Sequence, residues 1–184
     1  MTGEVRDSAS PGAAEEASVH RLVDRRAIHD VVLKYCRGID RMDRELVAEC
    51  FHPDAYDEHG SFEGGVEEFL EWVWPLLAKY RTTMHLAANH LCDVEGDVAV
   101  AETYGVAIHR SDDPAPHRNL DVGFRYIDRF ERRGGDWRIA RRVATTEWAE
   151  TSDSSRRWDT PENMRVGVRN RSDSVFVMLS DLRS

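Results

Sequence analysis

Apolar residues return every third or fourth position through Leu22, Ala27, Ile28, Val31, Val32, Tyr35 and Ile39. That spacing follows the 3.6-residue turn and predicts a helix with one buried face from about Ser18, with Gly38 as its expected end. Glu45, Leu46, Val47, Cys50 and Phe51 predict a short second helix. It should stop at His52-Pro53, because the residue before a proline is pushed out of helical geometry. Ala55 to Phe62 reads as a strand and Glu63-Gly64-Gly65 as a turn. Val66, Phe69, Leu70, Val73, Leu76, Leu77 and Tyr80 then form the stripe of a third helix.

Beyond Thr82 the texture changes, and Met84–Val94, Val98–His109, Asn119–Glu131 and Trp137–Glu147 read as four strands. Glu95-Gly96-Asp97 and Arg133-Gly134-Gly135-Asp136 supply tight hairpin turns, whereas Ser111–Arg118, with two prolines, is a longer polar loop. Helices, a strand, a helix and an antiparallel meander together imply an α+β domain, a curved antiparallel sheet packed on three N-terminal helices. This domain is expected over residues 18–150. Met1–Ala17, rich in Ala, Ser, Gly and acidic residues, reads as a disordered lead-in. Residues 151–184 form a polar, arginine-containing tail broken by the apolar run Val175–Leu179, expected to pack on the outside or on a neighbouring subunit.

Composition narrows the partners. The 184 residues suffice for one core, and 25 basic against 34 acidic residues leave a net charge of -9. That balance argues against nucleic acid or an anionic membrane surface and favours a small neutral or apolar ligand. Cys36, Cys50 and Cys92 lie too far apart in the sequence for a Cys-x-x-Cys site, so neither a disulfide framework nor a thiolate metal site is expected, and the cysteine usage suits the cytoplasm. No apolar run reaches membrane-spanning length, and no basic-then-apolar leader stands at the start.

Two residues carry the candidate chemistry. Asp40 follows the first helix in Tyr35-Cys-Arg-Gly-Ile-Asp40, and His85 lies early in the meander in Thr82-Thr-Met-His85. A carboxylate that orients an imidazole makes a general base near neutral pH. Two simpler roles stay open: Asp40 as the cap of the second helix, and His85 as a hydrogen-bonded core histidine. Tyr35 is either part of the site or core filler with a satisfied hydroxyl. Thr103, Gly105, Ala107 and His109 share one strand face, and the smallness of the first three leaves room for a ligand. His59, His85 and His109 could converge, but no His-x-His or His-x-x-x-His spacing occurs among them, so neither a metal nor another cofactor is expected.

With these residues, the stretch from Asp24 to Trp148 resembles the SnoaL-like branch of the nuclear transport factor two superfamily, in motifs the scytalone dehydratase, bile-acid 7α-dehydratase and lindane dehydrochlorinase group. The resemblance implies a cone-shaped α+β barrel around an apolar cavity, with Asp40 and His85 as the paired residues of an elimination. It also places Tyr35 near the reacting centre, His109 as a further cavity histidine, and His59 where scytalone dehydratase has a water-holding tyrosine. Phe124, Tyr126 and Asp128 take cavity-lining positions, the first two as substrate-binding residues. Two departures stand out: Thr146 occupies the place of an arginine in the bile-acid enzyme, and Tyr35 that of the dehydrochlorinase lysine. A substrate different from either is therefore implied.

The expectation is a cofactor-independent acid/base lyase, a dehydratase, acting on a cyclic or polyketide-like small molecule, with His109 or His59 as the acid. Isomerisation or cyclisation would begin with the same proton abstraction. A non-catalytic ligand binder, or a subunit like the small subunits of ring-hydroxylating oxygenases, is the other class. By the resemblance, the chain would assemble as a homodimer or homotrimer through the outer sheet face.

Overall fold

The computed structural model describes residues 11–111, 119–153 and 160–182. Helix α1 (Pro11–Arg41) and the short α2 (Arg44–Glu49) lead into strands β1 (Phe51–His59) and β2 (Phe62–Gly65). Then come α3 (Val66–Leu77) and the long strands β3 (Thr82–Glu95), β4 (Val98–Arg110), β5 (Asn119–Arg133) and β6 (Asp136–Ser152), followed by α4 (Ser174–Asp181). The six strands make one sheet in the order β2-β1-β6-β5-β4-β3.

The four-strand meander lies where the sequence placed it, turned by Gly96 and by Gly134-Gly135, all at positive φ. The sheet is mixed rather than wholly antiparallel, because β1 pairs parallel with β6. A crossover through α3 and the meander returns the chain beside its own first strand, and a parallel pair needs such a connection. Pro53 falls in a register irregularity between Phe51 and Tyr56, where its missing N–H breaks no regular ladder.

Several boundaries differ from expectation: Phe51, read as the end of the second helix, opens β1, and α3 stops at Leu77 rather than Tyr80. Helix α1 begins at Pro11, within the stretch read as a lead-in, since Pro is tolerated in a first turn and Ala13, Ala14, Glu15, Glu16 and Ala17 are strong helix formers. Gly38 does not end α1. A Cβ there would lie 2.6 Å from Val47 Cγ2, so the glycine lets α2 cross closely. The β1–β2 turn falls at Gly60-Ser61, with Gly60 at φ 67°, because Glu63-Gly64-Gly65 pairs with β1. The predicted Ser111–Arg118 loop lies almost wholly outside the described residues.

The core sits between the helices and the concave sheet face. Ile28, Val32, Tyr35 and Ile39 of α1 meet Phe51, Phe69, Leu70, Phe130 and Ile139, all fully or nearly buried. Each such aliphatic or phenyl side chain contributes on the order of 1.5–3 kcal/mol by leaving water. The tail crosses the helix ends instead of standing free: Arg169 donates to the carbonyls of Asp40, Leu77 and Tyr80 at 3.2, 2.8 and 2.7 Å. Asp40 and Leu77 lie at the ends of α1 and α3 and Tyr80 just beyond α3, so one guanidinium ties the two helix ends together. Within Val175–Leu179, Val177 and Met178 remain exposed.

Candidate active site

Asp40 stands in the last turn of α1, just before the chain reverses through Met42 at φ 55°. The cap of α2 is Asp43, whose carboxylate accepts from Leu46 N at 3.2 Å. Asp40 is thus free of capping duty and faces β3. Its Oδ1 lies 2.7 Å from His85 Nδ1 and accepts from the Thr83 hydroxyl at 2.9 Å, while Oδ2 accepts the His85 backbone N–H at 2.8 Å. Thr83 and His85 are two apart on β3, so both turn to the same side.

The pair is shielded, with side chains 8% and 10% exposed. Burial pushes the Asp40 carboxyl up, but the bonds from His85 and Thr83 outweigh it and hold the group below its usual range. A carboxylate that accepts at Nδ1 fixes the tautomer and leaves the Nε2 lone pair of His85 on the cavity side.

That cavity measures about 490 Å³ and is enclosed by α1, α3 and the concave sheet face. Tyr35, His59, His85, His109, Phe124 and Tyr126 all contribute to its wall, and Asp40 stands behind His85. The aromatic rings form walls and leave the space open. Gly105 is required there, since a Cβ would sit 2.3 Å from Phe124 Cζ. Leu76, Leu77, Leu120 and Val122 make much of the remaining lining apolar, with Lys79 its single lysine.

His109 lies beside His85, ring centroids 5.9 Å apart, and its Nδ1 is 3.1 Å from the Leu120 carbonyl. A carbonyl only accepts, so Nδ1 carries the hydrogen and Nε2 the lone pair. Burial, then the neighbouring His85, pulls His109 down to about 4. Near neutral pH it is therefore an uncharged acceptor, which is a different state from the proton donor that sequence reasoning offered. Tyr35 and Tyr126 are pushed above the ordinary phenol range, chiefly by burial and against the pull of Arg142, so both remain neutral donors.

Several contributors were not found from the sequence. Arg142 is wholly buried and bonds Asp128 through two contacts of 2.7 Å, with its guanidinium 4.2 Å from the Tyr35 ring and 3.9 Å from the Tyr126 ring. Burial opposes this charge, but Asp128 outweighs it and the cation persists. Strand alternation placed Asp128 with Phe124 and Tyr126 but carried no sign of its partner. Thr83 was legible in principle, because it shares parity with His85. Asp57, buried behind His59, shares parity with it in the same way.

Among the described residues, no three His, Cys, Asp or Glu side chains converge as metal ligands. Nor is any helix among them long and apolar enough to cross a membrane.

Fold and site together define a cone-shaped α+β protein of the nuclear transport factor two-like class, with a carboxylate–imidazole dyad beside an apolar cavity. Residues 20–143 match the SnoaL-like domain, and the chain belongs to that family. Three solved structures have a similar fold. A candidate scytalone dehydratase of Novosphingobium aromaticivorans is 22% identical, with 81% of this chain and 99% of that one covered at a TM-score of 0.66. The type 3 hexachlorocyclohexane dehydrochlorinase of Novosphingobium barchaimii is 18% identical, covering 78% and 99%, also at 0.66. A candidate aromatic ring hydroxylase of Novosphingobium aromaticivorans is 22% identical, covering 71% and 94% at 0.65. At such identities the likeness establishes the fold alone. No curated protein matches the chain.

Proposed function

We propose that this protein is a cofactor-independent acid/base lyase of the dehydratase type, acting on a cyclic, largely apolar oxygenated metabolite. The observation that carries the reading is the 2.7 Å contact between Asp40 and His85 at the wall of an open cavity of about 490 Å³. His85 Nε2 takes a proton from carbon activated by a carbonyl, and Asp40 stabilises the imidazolium that forms. Negative charge then develops on oxygen, where Tyr35 and Tyr126 are neutral donors in a dry site. His109, uncharged, accepts from the substrate hydroxyl and orients it; hydroxide departs with a proton supplied by another donor or by water.

The volume suits a molecule of one to three fused rings. Cyclisation or isomerisation is the second reading, because it shares the first proton transfer and needs no leaving group. A panel of cyclic β-hydroxy ketones and their non-hydroxylated counterparts, incubated with the protein and followed by mass, tests the choice. Loss of 18 Da identifies the dehydratase. Rearrangement at constant mass, or deuterium uptake without loss, identifies the alternative. No reaction with either set, together with tight retention of a ligand, identifies a binding protein.

A further inference from the structure

The cavity has a second end, which the dyad leaves unused. From His85 its wall runs along Phe124 and Tyr126, with ring centroids 6.2 and then 4.3 Å apart, and the Tyr126 ring meets His59 at 5.9 Å. His59 turns Nδ1 away from the cavity to a point 3.4 Å from Asp57 Oδ1. The opposite ring edge, with Nε2, is left on the cavity side. Asp57 is 0% exposed, and neither of its oxygens has a hydrogen-bond partner among the described residues; the same is true of His59 Nδ1.

Charge accounting makes this arrangement informative. Asp57, Arg142 and Asp128 lie side by side on β1, β6 and β5, in register. The guanidinium gives two hydrogen bonds to Asp128 and none to Asp57, and its Nη1 has no partner among the described residues. Two carboxylates therefore share one cation, and a buried carboxylate in surplus is strongly unfavourable. The groups facing this spot from the packed elements are Tyr35 and Cys36 of α1, Tyr126 and Asp128 of β5, and Arg142 of β6. Phenols and thiols bring no positive charge. His59, with Nδ1 3.4 Å from Asp57 Oδ1, is the remaining neighbour that carries basic nitrogens.

We propose that Asp57 and His59 form a second carboxylate–imidazole pair holding one exchangeable proton between them, with His59 the catalytic donor to a substrate oxygen and Asp57 its positioning residue. This rests on the reading of His85 as the base. Two aromatic side chains separate the stations, so the substrate class is a flat, conjugated ring carbonyl whose acidic carbon and oxygen lie across the ring. The C–H pair moves through the conjugated system onto oxygen as His85 Nε2 receives the proton. The oxygen takes a proton from His59 Nε2, giving the enol, neutral His59 and protonated His85.

2-Naphthol tests this without any substrate: it is flat, has two rings, bears one acidic oxygen and absorbs differently when ionised. The wild-type protein is expected to bind it and to enrich the naphtholate spectrum over that in buffer of the same pH. His59→Phe and Asp57→Asn should each lose the enrichment and bind at least tenfold more weakly, whereas His85→Gln should retain it. In denaturant midpoints, Asp57→Asn and His59→Gln should combine non-additively, a readout that also covers the case in which His59→Phe does not fold. Absence of binding to wild type, enrichment that survives in folded His59→Phe, or additive midpoints would overturn the proposal. Failure of the base assignment looks different: full turnover in a His85 variant while the naphthol pattern persists.

Discussion

Asp40 grips His85 twice, at the imidazole through Oδ1 and at the backbone N–H through Oδ2, so one carboxylate fixes both the ring and the strand that carries it. Rotation of the imidazole away from the cavity would break a charge-assisted bond in a site where both side chains are at least nine-tenths shielded from water. The imidazole is thus oriented before any ligand arrives, which is the condition the proposed proton abstraction requires.

Removal of either partner should therefore cost turnover rather than fold. His85→Ala is expected to lower turnover by roughly 10²–10⁴-fold, the usual contribution of a positioned general base. Asp40→Asn should lower it comparably, with a circular dichroism spectrum like wild type. Undiminished turnover in folded His85→Ala would refute the role.

Thr83→Val deletes one donor to Asp40 while keeping shape. The expected stability loss is about 1 kcal/mol, the typical worth of one such bond. With less to hold it down, the Asp40 carboxyl titrates higher, so the acid limb of the folding-stability curve should move to higher pH. The sign follows from a depressed carboxyl: its stabilisation is present above its unfolded value and disappears as pH falls through the folded one. An unmoved acid limb would show that Thr83 plays no part in tuning Asp40.

His109 makes a contribution of the same sign, separable by its pH window. Its folded value of about 4 lies below the ordinary 6.5, so the unfolded chain binds a proton first as pH falls. Folding stability should decline between those two values by up to about 3 kcal/mol and level off below about 4. Urea unfolding of wild type and His109→Gln across this range measures it, and the variant should show the flatter curve.

Two glycines predict distinct readouts. Ala normally favours a helix interior over Gly by about 1 kcal/mol, yet Gly38→Ala should destabilise, because its Cβ would meet Val47 Cγ2 at 2.6 Å and overpacking typically costs about 1–3 kcal/mol. A raised melting temperature would contradict the close crossing of α1 and α2. Gly105→Ala should press on the Phe124 ring and the Leu86 carbonyl, raising KM and lowering ligand affinity as well as the melting temperature.

Much of this molecule is local information. Period-two alternation in β4 put Thr103 and His109 on one buried face, and the turns at Gly96 and Gly134-Gly135 lie where glycine at positive φ was needed. Other features depended on residues far away. Gly38 read as a helix end because the sequence carries no mark of Val47 pressing on it. The parallel β1–β6 pairing was equally hidden, since two strands that meet only after the whole meander has folded leave no short-range pattern.

Asp40 and His85 were candidates from residue type and place alone, and so was the α+β architecture, because both depend on patterns a few residues long. Their contact bridges a sequence separation of 45 residues, and the burial of the Arg142–Asp128 hairpin pair beneath the tyrosines and of Asp57 depends on the same folding back. Such features are set by which surfaces exclude water together. That is a property of the assembled core, so tertiary structure decided how the candidate side chains meet, and which of their neighbours carry charge.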